Sequence, residues 1–353
     1  MNEYKYTTSE EQIKKLKKQK LLFENEENAK LLLDTYGYYN IINGYRDPYI
    51  IRDYDSKMYS PGVTFEQLFS LFQFDHSIRN AVLLSMIDLE EHLRALVADI
   101  ISDSFGSDHN EYLKRNNYRD KRVSDPKFSR NSVLASMEKT ATRSHKQPIK
   151  YYREEHGIVP PWILMKGIYF GTLVNFIRFF KKNERTKLIK KVYGAQVNDS
   201  NIDAFKDLFS DTLFLCLEYR NLAAHGGRVY NYIPKSNIRT FNDIEMPTQG
   251  LAQLLVSLGL ISYYPPTKRL NNAISRSLNA HCNLYISDIP RLEHATGLEI
   301  TTEKYVWVND KTKKYHIAQN CSGASNLVQL TYDEATAHGY TNCNRCCKNL
   351  TWE

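Results

Sequence analysis

The sequence predicts a mainly α-helical protein carrying a small, separate α+β module at its C-terminal end. Long stretches repeat apolar residues at three- and four-residue steps, and turn signals separate them at helical lengths. After residue 297 the chain switches to short alternating runs such as "YVWV" among turn residues, and this stretch holds four of the six cysteines.

The elements follow in order. The opening "MNEYKYTTSEEQIKKLKKQK" is charged with no apolar stretch behind it, so neither a secretory signal nor a membrane anchor is expected. From Thr64, "TFEQLFSLFQFDHSIRNAVLLSMIDLEEHLRALVADII" sets Phe65, Leu68, Phe69, Phe72, Ile78, Val82, Met86, Leu89, Leu93, Leu96 and Ile100 on one stripe. This predicts a long spine helix, broken at most once, with Thr64 as N-cap and with Glu90 and Arg94 as an exposed ion pair. "SDPKFSRNS" and "IVPPWIL" are breakers, and "WILMKGIYFGTLVNFIRFF" is a second apolar helix. "NIDAFKDLFSDTLFLCLEYRNLAAHGG" is a third, with Ile202, Phe205, Leu208, Phe209, Leu213, Cys216 and Leu217 inward, Ser200 as its cap, and Gly226 and Gly227 as its stop. "GLAQLLVSLGL" and "TKRLNNAISRSLNAHCNLYI" are further helical pieces divided by "YYPPTKR". The expected organisation is therefore a helical domain over residues 1–235, a helical connecting segment over 236–297 and a small module over 298–353.

With 353 residues, 42% hydrophobic and 25% charged, the chain can bury one large core or two modest ones. Its longest apolar runs, such as "LAQLLVSLGLI", are too short to span a bilayer, so a cytoplasmic protein without membrane contact is expected. In that reducing compartment the cysteines argue for metal or thiol chemistry. The net charge of +7 makes a polyanionic partner plausible. The basic runs "KKLKKQK" and "RFFKKNERTKLIKK" read either as solvated helix faces or as phosphate contacts.

At the end of the third helix, Arg220, Asn221 and His225 form an R-x4-H string, weak evidence by itself. Asn221 and His225 are one turn apart, so the amide could fix the imidazole tautomer. Arg220 lies about 140° around the helix from His225, so the two would meet around a shared phosphate or across a symmetric interface. These groups suit RNA cleavage: an imidazole can take the proton of a ribose 2′-OH or protonate the departing 5′-oxygen, and a guanidinium can neutralise charge growing on the phosphoryl oxygens. The bland alternative is a C-terminal helix cation and a surface ion-pair partner. A second instance, Arg276 and His281, lacks supporting context. Glu90, Glu91 and His92 read as a charged flank, His76 and His156 as ordinary, and "YGYYN" as either base-stacking or packing tyrosines.

Five blocks carry a resemblance: "YYNIINGY" (38–45), "TFEQLFSLFQFDHSIR" (64–79), "DLEEHLRA" (88–95), "PPWILMKGIYFGTL" (160–173) and "YRNLAAHGGRVYN" (219–231). In this order they resemble the Abi-like abortive-infection proteins of the AbiD/AbiF type, over residues 8–232. That family is similar to the HEPN superfamily of ribonucleases. The resemblance implies a HEPN-type helical bundle, metal-independent cleavage leaving 2′,3′-cyclic phosphate and 5′-OH ends, and a homodimer pairing two motifs. It puts Arg220, Asn221 and His225 on the catalytic positions, makes Arg228 and Asn231 candidates for phosphate or structural contacts, and suggests a role in phage defence or a toxin–antitoxin system under the control of an RNA partner. Lys166 stands where family members often carry an acidic residue, and glycines follow His225 where a further histidine is usual. The alternative function is a non-catalytic RNA-binding sensor or scaffold; a zinc-containing DNA-binding regulator would need a helix-turn-helix that is not evident.

In the last segment His316, Cys321, Cys343 and Cys346 give H-x4-C-x21-C-x2-C, two short ligand pairs joined by a loop. This predicts a structural zinc site, with four protein ligands leaving no position for a catalytic water. Cys347 is an alternative to Cys346. The segment also resembles small zinc-binding tails of bacterial proteins, which implies a docking module; Tyr340, Arg345 and Lys348 could touch nucleic acid there or form a solvated rim. Cys216 and Cys282 fall on apolar stripes and read as core residues.

Overall fold

The computed structural model describes residues 6–53, 56–235, 238, 240–241, 244–300, 305–316, 321 and 327–347; Lys348 lies outside them. The chain divides into two compact units, Met1–Ser277 with Arg291–Leu298, and Leu278–Pro290 with Glu299–Glu353. Residues 236–297, expected as a connecting segment, are thus shared between the two.

The first unit opens with α1 (Ser9–Lys18) and α2 (Glu26–Tyr36), followed by a two-stranded ribbon, β1 (Ile50–Asp53) and β2 (Ser56–Tyr59). The spine α3 (Phe65–Phe105) comes next, then α4 (His109–Tyr112), α5 (Arg130–Arg143), α6 (Ile149–His156), α7 (Pro161–Leu164), α8 (Phe170–Ile177), α9 (Lys182–Tyr193) and α10 (Ile202–Ala224). A short ribbon, β3 (Thr240–Phe241) with β4 (Ile244–Glu245), precedes α11 (Gly250–Gly259). Helices α12 (Pro265–Cys282) and α13 (Ile289–Thr296) each contribute to both units. Among the described residues no helix is long and apolar enough to cross a membrane.

Helix α3 runs unbroken for 41 residues, roughly 60 Å. The Thr64 hydroxyl accepts from the Gln67 amide, as its position before the apolar run predicts. Leu68, Ile78, Val82, Met86, Leu89, Leu93 and Ile100 are buried, whereas Phe69 and Leu96 are half-buried and Val97 takes the inward place beside Leu93. One expectation fails: Glu90 is buried at 7% exposure and is no surface ion-pair partner. It sits one turn past Met86 and next to Leu89, inside the stripe, so the helix turns it inward.

Helix α10 packs along α3 and against α8, α9 and α11. Phe205, Leu208, Phe209, Leu213 and Cys216 are buried as expected. Ser200 does not cap it: Asn201 is the N-cap residue, without a side-chain cap bond, and the Ser200 hydroxyl donates instead to Asn198 Oδ1 at 2.6 Å. The helix ends as the glycines predict. The Gly227 amide reaches the Leu222 carbonyl (2.9 Å) and the Gly226 amide that of Ala223 (3.3 Å), with Gly226 at φ +74°, a Schellman turn with His225 as C-cap residue.

The second unit carries a four-stranded sheet of β5 (Tyr305–Asn309), β6 (Lys314–His316), β7 (Val328–Thr331) and β8 (Thr341–Asn342), in the order β7-β5-β6-β8. All pairs are antiparallel except β6 with β8. A short helix, α14 (Tyr332–Ala337), carries a capping box from Thr331 and Glu334. Val306, Val308, Tyr315, Ala335, Tyr340, Cys343 and Cys347 form its small core. Cys282 is also buried.

Candidate functional site

The C-terminal turn of α10 carries the candidate triplet. Arg220 is half-buried, while Asn221 and His225 are exposed. The Arg220 Nη1 donates to Asn221 Oδ1 at 3.3 Å, so the bond made by the Asn221 side-chain oxygen goes to the arginine, away from the imidazole it was expected to orient. Asn221 and His225 are joined through the backbone, amide to carbonyl at 3.1 Å. Among the described residues no hydrogen bond or ion pair joins Arg220 to His225 within one chain. The Schellman turn holds His225 at the surface of a packed helix end.

Arg220 looks toward α3. Burial pushes the Glu90 carboxyl above its ordinary range, while Arg94 and then Arg220 pull it back toward the charged form. Arg94 pairs with Glu90 and donates to the Ile168 carbonyl at 2.6 Å. Arg220 Nε is buried with no hydrogen-bond partner among the described residues. Glu90 and Arg94 are therefore part of the site's electrostatics, although their block reads as a charged flank. The signal that could have found them is a carboxylate placed inside the apolar stripe.

The segment after the triplet is tied to the spine by Asp75, which is fully buried. Its Oδ1 accepts from the Val229 and Tyr230 amides, both at 2.9 Å, and its Oδ2 from the Tyr45 hydroxyl at 2.6 Å. Burial raises the Asp75 carboxyl above the usual carboxylate range, against the hydrogen bonds and nearby Arg79 that favour its charged form. One turn on, Arg79 Nη1 donates to the Gly226 carbonyl at 3.1 Å. Arg228 is half-buried and its Nη1 donates to the Gly44 carbonyl at 2.6 Å. Asn231 is half-buried.

These contacts frame a groove of about 410 Å³ beside His225, whose walls include Tyr36, Tyr39, His76, Arg79, Gly226 and Arg228. Tyr39 is 75% exposed on a π-turn spanning Tyr39–Asn43. Burial, reinforced by Arg79, holds the His76 imidazole below its ordinary value. The groove offers guanidinium donors and open aromatic faces next to an exposed imidazole, a combination able to bind a phosphodiester and stack a base. His156 packs edge-on against Tyr151, and His92 stacks on Tyr263 with centroids 4.2 Å apart, so both are packing residues.

The second R-x4-H string behaves differently. His281 is 1% exposed, with Nε2 at 3.0 Å from the buried Asp288 Oδ2, and Arg276 is an exposed residue of α12. This imidazole is committed to an internal pair.

In the second unit His316, Cys321, Cys343 and Cys346 gather as the spacing predicts, their donor atoms all within 4.8 Å of one another. Cys321 and Cys343 Sγ are 3.9 Å apart, and Cys346 Sγ lies 3.7 Å from His316 Nδ1. With a zinc–sulfur bond of about 2.3 Å, the edges of a tetrahedron come to about 3.6–3.8 Å, so donor types and spacing fit that ion. The Cys343 thiol is drawn down to about 7, first by the Cys346 backbone amide, against the cost of burial. Burial and then its thiol neighbours push Cys321 up to about 11. Cys347 is turned into the core with its Sγ 3.6 Å from the Tyr315 carbonyl, which leaves Cys346 as the fourth donor.

The five sequence blocks meet around α10: residues 38–45 supply the groove wall, 64–79 Asp75 and Arg79, 88–95 Glu90 and Arg94, 160–173 the Ile168 carbonyl, and 219–231 the triplet. No curated protein and no solved structure matches the chain. A family model, Abi-like protein, matches residues 31–231, more than half of the chain and all of these groups. The chain belongs to the Abi-like protein family, a membership that suggests a part in abortive infection, the defence of bacteria against phage.

Proposed function

We propose that this protein is a cytoplasmic, metal-independent endoribonuclease of the HEPN superfamily, acting in phage defence or as the toxin of a toxin–antitoxin pair. The observation that carries the reading is the Arg220, Asn221 and His225 triplet on an exposed, Schellman-capped helix end beside a groove lined by Arg79, Arg228 and Tyr39.

In this reading the ribose 2′-oxygen attacks the adjacent phosphorus as an imidazole takes its proton. The bond from phosphorus to the 5′-oxygen breaks, and that oxygen leaves with a proton returned by an acid, giving 2′,3′-cyclic phosphate and 5′-OH ends. Arg220 neutralises the growing phosphoryl charge, and Asn221 holds the guanidinium. Since Arg220 and His225 diverge on one helix, a homodimer with two-fold symmetry brings the arginine of one protomer to the histidine of its partner.

The test incubates the purified protein with single-stranded and structured RNA in magnesium-free buffer, beside Arg220→Ala and His225→Ala. Cleavage leaving cyclic-phosphate ends, reduced about 10²- to 10⁴-fold in each variant, is the expected result. Equal cutting by all three proteins, or a requirement for added magnesium, refutes it. RNA binding without cutting favours the sensor or scaffold reading. The His316, Cys321, Cys343 and Cys346 cluster is proposed to hold a structural zinc ion, which would cross-link the short sheet and stabilise its small core.

A further inference from the structure

About 20 Å along α10 from Arg220, cations from four segments converge around its first turns. Arg119 and Lys121 come from the loop after α4, Arg178 from the end of α8, Arg185 from α9 and Lys206 from α10. Lys181 and Lys182, at the start of α9, line the rim of an adjoining cavity of about 350 Å³.

The guanidinium groups are braced mainly by neutral acceptors. Arg119 Nε donates to the Arg178 carbonyl (2.9 Å), Arg178 Nη1 to Asn175 Oδ1 (2.9 Å), and Arg185 Nη2 to the Lys206 carbonyl (2.7 Å). Arg178 also lies over the Phe214 ring, 4.9 Å from its centroid. These bonds fix the arginines without cancelling their charge. Lys206 is paired with Asp203 at 2.9 Å and Arg185 with Asp207 at 3.7 Å, but both carboxylates are more than 80% exposed. Asp211 is a further acidic neighbour, on the Lys121 side. Among the described residues, Arg119, Lys121, Arg178, Lys181 and Lys182 form no ion pair. Burial, and then Arg119, hold Lys121, Arg178 and Arg185 below their ordinary values, and the exposed Asp207 only partly offsets this at Lys121 and Arg185.

We infer that this cleft binds consecutive phosphate groups, at a site separate from the groove at His225. Planar, pre-positioned guanidinium forks match phosphoryl oxygens two at a time, and the spread of cations from the cavity of about 350 Å³ out to Arg178 and Lys121 suits several linked phosphates better than a single anion. The same chemistry is offered by a nucleic-acid backbone and by a free polyphosphate. The proposal does not depend on the catalytic reading, because binding is measured without cleavage.

The test uses 2′-O-methyl RNA, which has no free 2′-OH to attack, and inorganic triphosphate, each titrated against the full-length protein. Lys121→Glu with Lys182→Glu reverses two exposed, unpaired charges and should leave the fold intact; Arg119→Ala probes the interior. The expected result is at least a ten-fold loss of affinity in both variants. For RNA, the slope of log affinity against log salt should also become shallower by about 1.4 in the double variant, for two lost contacts at about 0.7 each. Loss confined to RNA assigns the site to a nucleic-acid strand, and loss confined to triphosphate to a free polyphosphate; either supports it. Unchanged affinity for both ligands in both folded variants overturns it. Because binding is read with an RNA that cannot be cleaved and with triphosphate, failure of the catalytic reading leaves this measurement intact.

Discussion

Replacing Asp75 tests how the end of α10 is held. In Asp75→Ala the Val229 and Tyr230 amides and the Tyr45 hydroxyl lose their shared acceptor inside the core. An unsatisfied buried polar group costs about 1–3 kcal/mol, and part of that sum is offset because the variant no longer buries a carboxylate. A net loss of about 3 kcal/mol is expected, a large part of the roughly 5–15 kcal/mol typical of a folded domain. Asp75→Asn keeps an oxygen for the two amides and turns an NH2 group toward Tyr45, whose hydroxyl can accept, so about 1 kcal/mol is expected. Urea unfolding of the three proteins measures this, and an alanine variant no less stable than the asparagine variant would refute the anchoring role. The pH dependence has a fixed sign. Burial raises the native carboxyl above its unfolded value of about 3.9, so the native state holds the proton longer. The stability of the wild type relative to Asp75→Asn should therefore be greatest below that value, fall as pH rises through the native pKa and then level off; a rise with pH over that window would contradict the assignment.

Removing metal with a chelator should unfold the sheet of β5 to β8 while leaving most helical circular dichroism, because the second unit's core is small; a single unchanged melting transition would count against a structural ion. Cys346→Ser should lose bound zinc and Cys347→Ser retain it, by metal analysis, since the Cys347 thiol faces the Tyr315 carbonyl. Glu90→Ala should cost about 2 kcal/mol in urea, by leaving the Arg94 and Arg220 charges facing a partly buried site without their carboxylate. Gly226→Ala meets no atom within 4 Å but must adopt φ near +74°, so a loss of about 1 kcal/mol is expected, with Gly226→Asn costing less.

What was legible in the sequence is what local spacing controls. The α3 stripe, the Thr64 cap, the glycine stop after His225 and the four metal donors all depend on residues within a turn of one another or on short ligand pairs. The Ser200 cap failed for a local reason too, because Asn198, two residues earlier, competes for its hydroxyl. What was not legible depends on partners far away in sequence. Asp75 meets amides 154 and 155 residues later, and Arg79 reaches a carbonyl 147 residues on, pairings that no periodicity encodes. The cation cleft is drawn from four separate segments, of which only the run "RFFKKNERTKLIKK" is conspicuous as sequence. Glu90 lies between these cases: its position on the stripe was readable, but charge alone suggested the surface.

The long-range polar contacts share a geometry that explains why a helix of 41 residues is used here. At 100° per residue, Asp75, Arg79 and Glu90 fall within about 60° of one another around α3, a polar seam along one side of the helix. Against that seam lie, in reverse order, Tyr230 and Val229, then Gly226, then Arg220. The antiparallel match means that α3 fixes the triplet at three levels: a carboxylate holds the amides beyond it, a guanidinium the carbonyl at its end, and a carboxylate the charge of its arginine. Apolar packing alone would leave the helix end free to fray, because the last carbonyls of any helix lack internal partners. The Schellman amides satisfy the Leu222 and Ala223 carbonyls, and the continuous spine adds partners for the Gly226 carbonyl and the Val229 and Tyr230 amides, so the turn that carries the exposed His225 is tied to one rigid element.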